Sequence, residues 1–132
     1  MARQEGTRSI PGHQEETSQC QKIGRMLAQI SDKWTMLVVR TLGPGPKRFN
    51  ALKREIGDIS QKMLSSTLRD LEKHGFVSRT VTPSIPVQVE YALTELGRDF
   101  LKPVGNLANW VLSNSERIEA AQTTFEKKRA KG

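Results

Sequence analysis

Gln61, Lys62, Ser65, Ser66 and Arg69 recur at steps of one and three between Ile59 and Glu72, so on a helix they share one outer face. Amides, hydroxyls and cations near the N-terminal half of a helix can reach base edges and phosphates when that helix lies in a major groove. Ser60 can cap the helix by accepting from its orphan N–H groups, and Gly75 can close it in the left-handed conformation. Met63, Leu64, Thr67, Leu68 and Leu71 form the opposite, buried stripe, with Lys73 and His74 at the negative end of the dipole. A merely solvated face is the plainer account of the outer residues, and the helix alone does not choose between the two.

Little else in the chain has the makings of chemistry. Paired carboxylates, a Cys-His arrangement and a phosphate-cradling loop are all missing from the sequence, so it predicts no enzyme and no cofactor. One cysteine rules out an internal disulfide, and Cys20 with only His13 and His74 makes a zinc site within one chain a poor expectation. Cys20 is expected near the head of a helix beside Lys22, a setting that suits a redox or electrophile sensor. It also falls on an apolar stripe, where a free thiol commonly serves as a small hydrophobe.

The elements that hold the outer face can be read in order. Residues 1–19 carry hardly an apolar side chain and are expected to be a flexible arm. Cys20, Ile23, Met26, Leu27 and Ile30 mark a first helix, and Ser31 or Asp32 can cap a second, very apolar one with Trp34, Leu37, Val38, Thr41 and Leu42. Gly43-Pro44-Gly45-Pro46 ends it. A third helix, Phe49 to Ile56, turns Phe49, Leu52 and Ile56 inward, and Gly57-Asp58-Ile59 leads into the reader, which makes a helix-turn-helix. Phe76 to Thr82 and Val87 to Leu93 then predict two antiparallel strands around a stiff Pro83-Ser84-Ile85-Pro86 loop, a wing. Thr94 can cap the final helical region, in which Pro103 should start a new helix or kink the old one.

The expected class is therefore mainly α with a small β-hairpin, a winged helix-turn-helix over residues 20–122 with a fraying basic tail at 123–132. A formal net charge of +7 and a pI of about 9.9 favour an anionic partner. No apolar run reaches membrane-spanning length and the N-terminus lacks an apolar signal segment, so the expected place is the cytoplasm, at the nucleoid of a bacterium, with no membrane partner. Surplus apolar surface on Ile23, Leu27, Leu107, Trp110 and Val111 predicts a homodimer, with a helix folded back on its own domain as the alternative.

Ordered motifs support a closer comparison: Cys20, Ile30-Ser31-Asp32-Lys33-Trp34-Thr35, Arg48-Phe49-Asn50-Ala51-Leu52, Ile59-Ser60-Gln61-Lys62-Met63-Leu64, Leu68-Arg69-Asp70-Leu71-Glu72, Val89-Glu90-Tyr91-Ala92-Leu93-Thr94 and Gly97. Together they resemble the HxlR family of winged-helix, MarR-like bacterial transcription regulators, from about Cys20 to Trp110. The resemblance implies a homodimer made through the first and last helices and binding to inverted repeats in promoter DNA, as repressor or activator. It also implies that Cys20 corresponds to a cysteine with which some members sense oxidants or electrophiles. Gln21 departs from a frequent proline, and Gln88 from a frequent basic residue before Val-Glu-Tyr; a neutral amide there implies weaker phosphate contact.

The residues expected to meet DNA are Arg48, Lys53, Ser60, Gln61, Lys62, Ser65, Ser66, Arg69, Arg79 and Gln88. The partners expected are double-stranded operator DNA, a second copy, and an oxidant or small-molecule inducer. A winged-helix module that docks another protein without specific DNA binding is the alternative. Charge argues against it, since Lys47, Arg48, Lys53, Arg54, Lys62, Arg69 and Arg79 outnumber Glu55, Asp58 and Asp70 around the reader.

Overall fold

Caps and glycines divide the chain where the apolar periodicity breaks. The computed structural model describes residues 11–131 as α1 (Pro11–Ile30), α2 (Lys33–Leu42), β1 (Lys47–Arg48), α3 (Phe49–Ile56), α4 (Gln61–Lys73), β2 (Val77–Thr82), β3 (Gln88–Leu93) and α5 (Glu95–Lys131). Residues 1–10 of the expected arm lie outside the described residues, but the rest of it, 11–19, is the first half of α1 rather than irregular chain. Pro11 is pre-organised for a first helical turn and the Gln- and Glu-rich stretch that follows has good helix propensity. Polarity there keeps the helix out of a core, not out of a helix. Among the described residues of α1, Ile30 at its end is the one that packs against the core.

The core is centred on α2, α3 and α4, through Val38, Val39, Leu42, Leu52, Leu64, Leu68 and Leu71. Asp32, not Ser31, caps α2: its carboxylate accepts from the Thr35 N–H at 2.9 Å and from the Thr35 hydroxyl at 2.9 Å. That second bond satisfies a buried hydroxyl which would otherwise be costly. α3 spans the predicted residues.

On α4, Leu64, Thr67, Leu68 and Leu71 are buried, whereas Met63 is 42% exposed and does not belong to the stripe. One residue is about 100° of helix, so Met63 sits at the rim of a face centred on Leu64 and Leu68. Ser60 caps the helix by accepting from the Met63 N–H at 3.0 Å. At the other end Gly75, with φ of 84°, lets its own N–H bond the Glu72 carbonyl and the Phe76 N–H bond that of Leu71, a Schellman closure that turns Phe76 into the core.

β2 and β3 pair antiparallel with Arg79 opposite Tyr91, and β1 adds a third strand on the far side of β3 with Arg48 opposite Glu90. So short a strand has no pattern to read. The alternation expected along the wing is not a burial pattern: Val77 and Leu93 at its root are buried, but Val81 and Val87 are exposed. Here the β-branched residues serve a ladder that leaves the body.

α5 is one continuous helix with Pro103 inside it, neither broken there nor ended before the tail. An internal proline costs about 3 kcal/mol. Phe100, Leu101 and Val104 pack on the core on both sides of it and offset that cost. Lys128, Arg129 and Lys131 in the last turn complement the dipole, which is why the basic tail remains helical.

The root of α5 is tied to both the reader and the wing. The Thr94 hydroxyl accepts from the Gly97 N–H at 3.0 Å, the predicted cap, and donates to the Gly75 carbonyl at 2.6 Å, while its N–H bonds the Phe76 carbonyl at 3.0 Å. A Cβ on Gly97 would stand 2.1 Å from that same Phe76 oxygen. Among the described residues no helix is long and apolar enough to cross a membrane.

Candidate nucleic-acid interface

The buried stripe of α4 fixes what its other side presents. Gln61, Lys62, Ser65, Ser66 and Arg69 are all exposed, on one continuous face held from behind by Leu64, Leu68 and Leu71. The Ser60 hydroxyl oxygen spends one lone pair on the cap, which leaves its proton and its second lone pair for an outside partner.

α4 and the wing meet in a polar cleft of about 380 Å³ lined by Phe49, Ser65, Arg69, Glu72, Arg79 and Tyr91. Arg69 comes from the reader and Arg79 from β2, directly across from Tyr91. This juxtaposition joins three residues expected from the sequence to meet DNA, Ser65, Arg69 and Arg79, and adds Phe49, Glu72 and Tyr91, which were not. Tyr91 could have been found from the hairpin register, since it alternates with Val89 on β3; the other two depend on tertiary packing.

Arg48 and Gln88 are also brought together. The short β1 places them so that Arg48 Nη2 donates to Gln88 Oε1 at 2.6 Å. Gln88, opposite Thr82 at the loop end of the wing, is therefore occupied in holding a guanidinium, whereas the sequence offered it as a weak phosphate contact of its own. Lys47 is drawn away into an ion pair with Glu55 at 3.1 Å.

Among the described residues, carboxylates within 4.0 Å of a cation occur at Lys47–Glu55 and Lys102–Asp99. Lys53, Lys62, Arg69 and Arg79 have no such partner, and their charges are available to phosphates. Arg48 and Arg79 flank the sheet while Lys62 and Arg69 stand on the reader, so the positive surface runs over both elements.

Cys20 is exposed and lies in the body of α1, more than two turns from the start at Pro11. The expected position at a helix head does not hold, and with it goes the help of the terminal dipole, which fades within one turn. Ile23, Leu27, Leu107, Trp110 and Val111 are about half exposed. Leu107 and Val111 also line an apolar groove of about 450 Å³ between α2 and α5, with Met36 and Leu37 on the other wall.

This arrangement has parallels. A family model described as an HxlR-like helix-turn-helix matches residues 29–119. The uncharacterized HTH-type transcriptional regulator YtfH of Escherichia coli (strain K12) is 37% identical over 97 residues, 74% of this chain and 77% of the relative. Among solved structures, the transcriptional regulator ytfH from Salmonella typhimurium superposes with a TM-score of 0.71 at 35% identity, covering 75% of this chain and 88% of that one. The redox regulator HypR in its reduced form gives 0.70 at 36% identity, with 75% and 98% covered.

Proposed function

Since this chain belongs to the HxlR-like helix-turn-helix family of transcription regulators, we propose that it binds DNA sequence-specifically, as a homodimer on an inverted-repeat operator, and regulates transcription by occupying that site. The observation that carries this reading is the exposed polar and cationic face of α4, continuous through the Arg69–Arg79 cleft with the wing. α4 enters the major groove: Gln61, Ser65, Ser66 and Arg69 read base edges, and Lys62 and Ser60 meet the backbone. Arg79, Lys53 and the Gln88-held Arg48 add phosphate contacts around the reader. A protein-docking surface would be more apolar than this one, and the work of the protein is accordingly placed on DNA in the cytoplasm. Pure protein should retard a DNA fragment carrying the inverted repeat beside its own gene and not a scrambled one. Equal affinity for both would overturn the specific reading.

Dimerisation is supported by the half-exposed apolar residues of α1 and α5 and by the groove between α2 and α5. Regulation through Cys20 is supported by the exposure of that thiol and by the likeness to HypR, a redox regulator. A sulfenic acid at Cys20 finds no second cysteine in its own chain, so it is resolved by the other subunit or by a small thiol. Diamide or a quinone should change operator affinity in wild type and not in Cys20→Ser. An identical response of the two proteins would make Cys20 a packing residue.

A further inference from the structure

The wing ends in an apolar point. Ile85, in the loop between β2 and β3, is 102% exposed, more than any other large apolar residue described. From Thr80 to Val89 no side chain is charged, although Arg79 and Glu90 flank that run and the whole chain carries +7. Pro83 and Pro86 fix their own φ on either side of Ile85, and the Ser84 hydroxyl donates to the Pro86 carbonyl at 2.7 Å. The prolines alone blunt the strand ends against stray pairing, a duty that asks nothing apolar of residue 85. A lone exposed apolar side chain is ordinary, but this one is held out on a stiffened tip, away from any core.

The pleat of the sheet sets the direction in which the tip extends. Arg79 pairs with Tyr91, and both line the cleft that Arg69 enters from the reader. Two residues farther out Val81 pairs with Val89, and alternation puts that pair on the same face of the sheet. One face of the wing therefore begins as a cationic cleft and continues outward as apolar surface, through Val81, to Val87 and Ile85 in the loop.

Six residues from Arg79 to Ile85 reach at most about 20 Å at roughly 3.3 Å each. Neighbouring major and minor grooves are centred about half a helical turn apart, roughly 17 Å. With α4 in a major groove, the tip spans one phosphate ridge and arrives at the next minor groove. That groove is only about 6 Å wide, which admits a single side chain and not a hairpin. An uncharged tip releases no counterions from phosphates, whereas an apolar side chain can press against the sugars and part a base step. Three apolar side chains fall far short of the area a stable protein partner would need.

We infer that Ile85 is an apolar wedge that enters the minor groove flanking each half-site and selects for base steps that open easily. The steps chosen are pyrimidine–purine ones, TA and CA/TG, which unstack more readily than a stiff A-tract. This rests on the operator binding proposed above and adds a sequence preference at positions where no side chain hydrogen-bonds a base.

The test uses the inverted-repeat fragment beside the protein's own gene, with the steps about 4–6 bp from each half-site centre set to TA or to AA. Both present the same acceptors in the minor groove and differ in stiffness. Wild type should bind the TA fragment about 10-fold more tightly and bend it by at least about 20° in circular-permutation electrophoresis. Ile85→Ala should bind both fragments as wild type binds AA, with the bend lost. Ile85→Lys should regain affinity for both alike, with a salt dependence steeper by about one counterion. Ile85 touches no core residue, so both variants should melt with wild type. A wild type indifferent to the step, or an Ile85→Ala that keeps the preference, overturns the wedge. Specific operator binding that is identical in wild type and Ile85→Ala also overturns it, gives the tip to a protein partner and leaves α4 as reader. A wild type with no operator specificity overturns the α4 reading and the wedge together.

Discussion

Lys62 and Arg69 lie on the same face, but the structure gives them different surroundings: Lys62 stands free near the helix start, whereas Arg69 lines the cleft shared with Arg79 and Tyr91. A fork held in a cleft is suited to a guanine edge, and a free lysine to a phosphate. Arg69→Ala should therefore cost about 1–3 kcal/mol at one base position, while Lys62→Ala weakens all sequences alike and flattens the salt dependence. Titrations against single-base operator variants at several salt concentrations separate the two, and unchanged affinity in both would remove α4 from the reading role. Gly97 belongs to the same scale. Its missing Cβ is what lets the Phe76 carbonyl reach the first turn of α5, so Gly97→Ala should lower stability by about 3 kcal/mol in thermal or urea unfolding. Neither the Arg69–Arg79 cleft nor the Gln88–Arg48 bond was legible in the sequence, because each depends on side chains that only the fold brings together. Ser60, Gly75 and Thr94 were legible, because a cap is local: one side chain and the next N–H groups at a helix start, one glycine at positive φ and the last carbonyls at its end.

Elements whose two sides differ in polarity were readable from their period. α3 and α4 followed the spacing of Leu52, Leu64, Leu68 and Leu71, and only the rim position of Met63 was misplaced. The extent of α1 and α5 was not readable by the same means. Among the described residues their outer parts add nothing to the core cluster, so the core could not mark where they stop, and Pro103 looked like a boundary until packing on both sides of it outweighed its cost. At this scale Ser60→Ala should destabilise the protein by about 1 kcal/mol, because the Met63 N–H loses its acceptor at the exposed end of α4. The same change should weaken operator binding as the first turn of the reader frays. Circular dichroism melts and binding titrations on one preparation test both parts; a destabilised protein with unaltered affinity would show that the first turn makes no contact.

For the whole molecule, the winged helix-turn-helix was recoverable from the order of helices, turn and hairpin, since that order has few three-dimensional solutions. The assembly is another matter, because the face that pairs is written in the same apolar residues as a face that folds back. If two copies associate through α1 and α5, their α4 helices meet successive major grooves, and half-sites about 10 bp apart, or a multiple, should be bound best. Footprinting on operators with the spacer lengthened by five base pairs should show binding lost, and restored when ten are added. Affinity indifferent to the spacer would mean that each copy binds alone.

The Thr94 hydroxyl has a mechanical consequence. One oxygen joins the end of the reader, through Gly75, to the first turn of α5, through Gly97, so the two helices share a fulcrum rather than a hinge. The 37 residues of α5 make a shaft of about 55 Å. With so long an arm, a displacement of one ångström at the far end turns the reader by only about one degree, and a signal delivered there is geared down before it reaches DNA. Cys20 on α1 has no such shaft between it and the body, since Ile30 anchors that helix close by. In gearing terms, if two copies pair and Cys20 is modified as proposed, the short arm would feel the covalent change and the long arm would keep the spacing between readers.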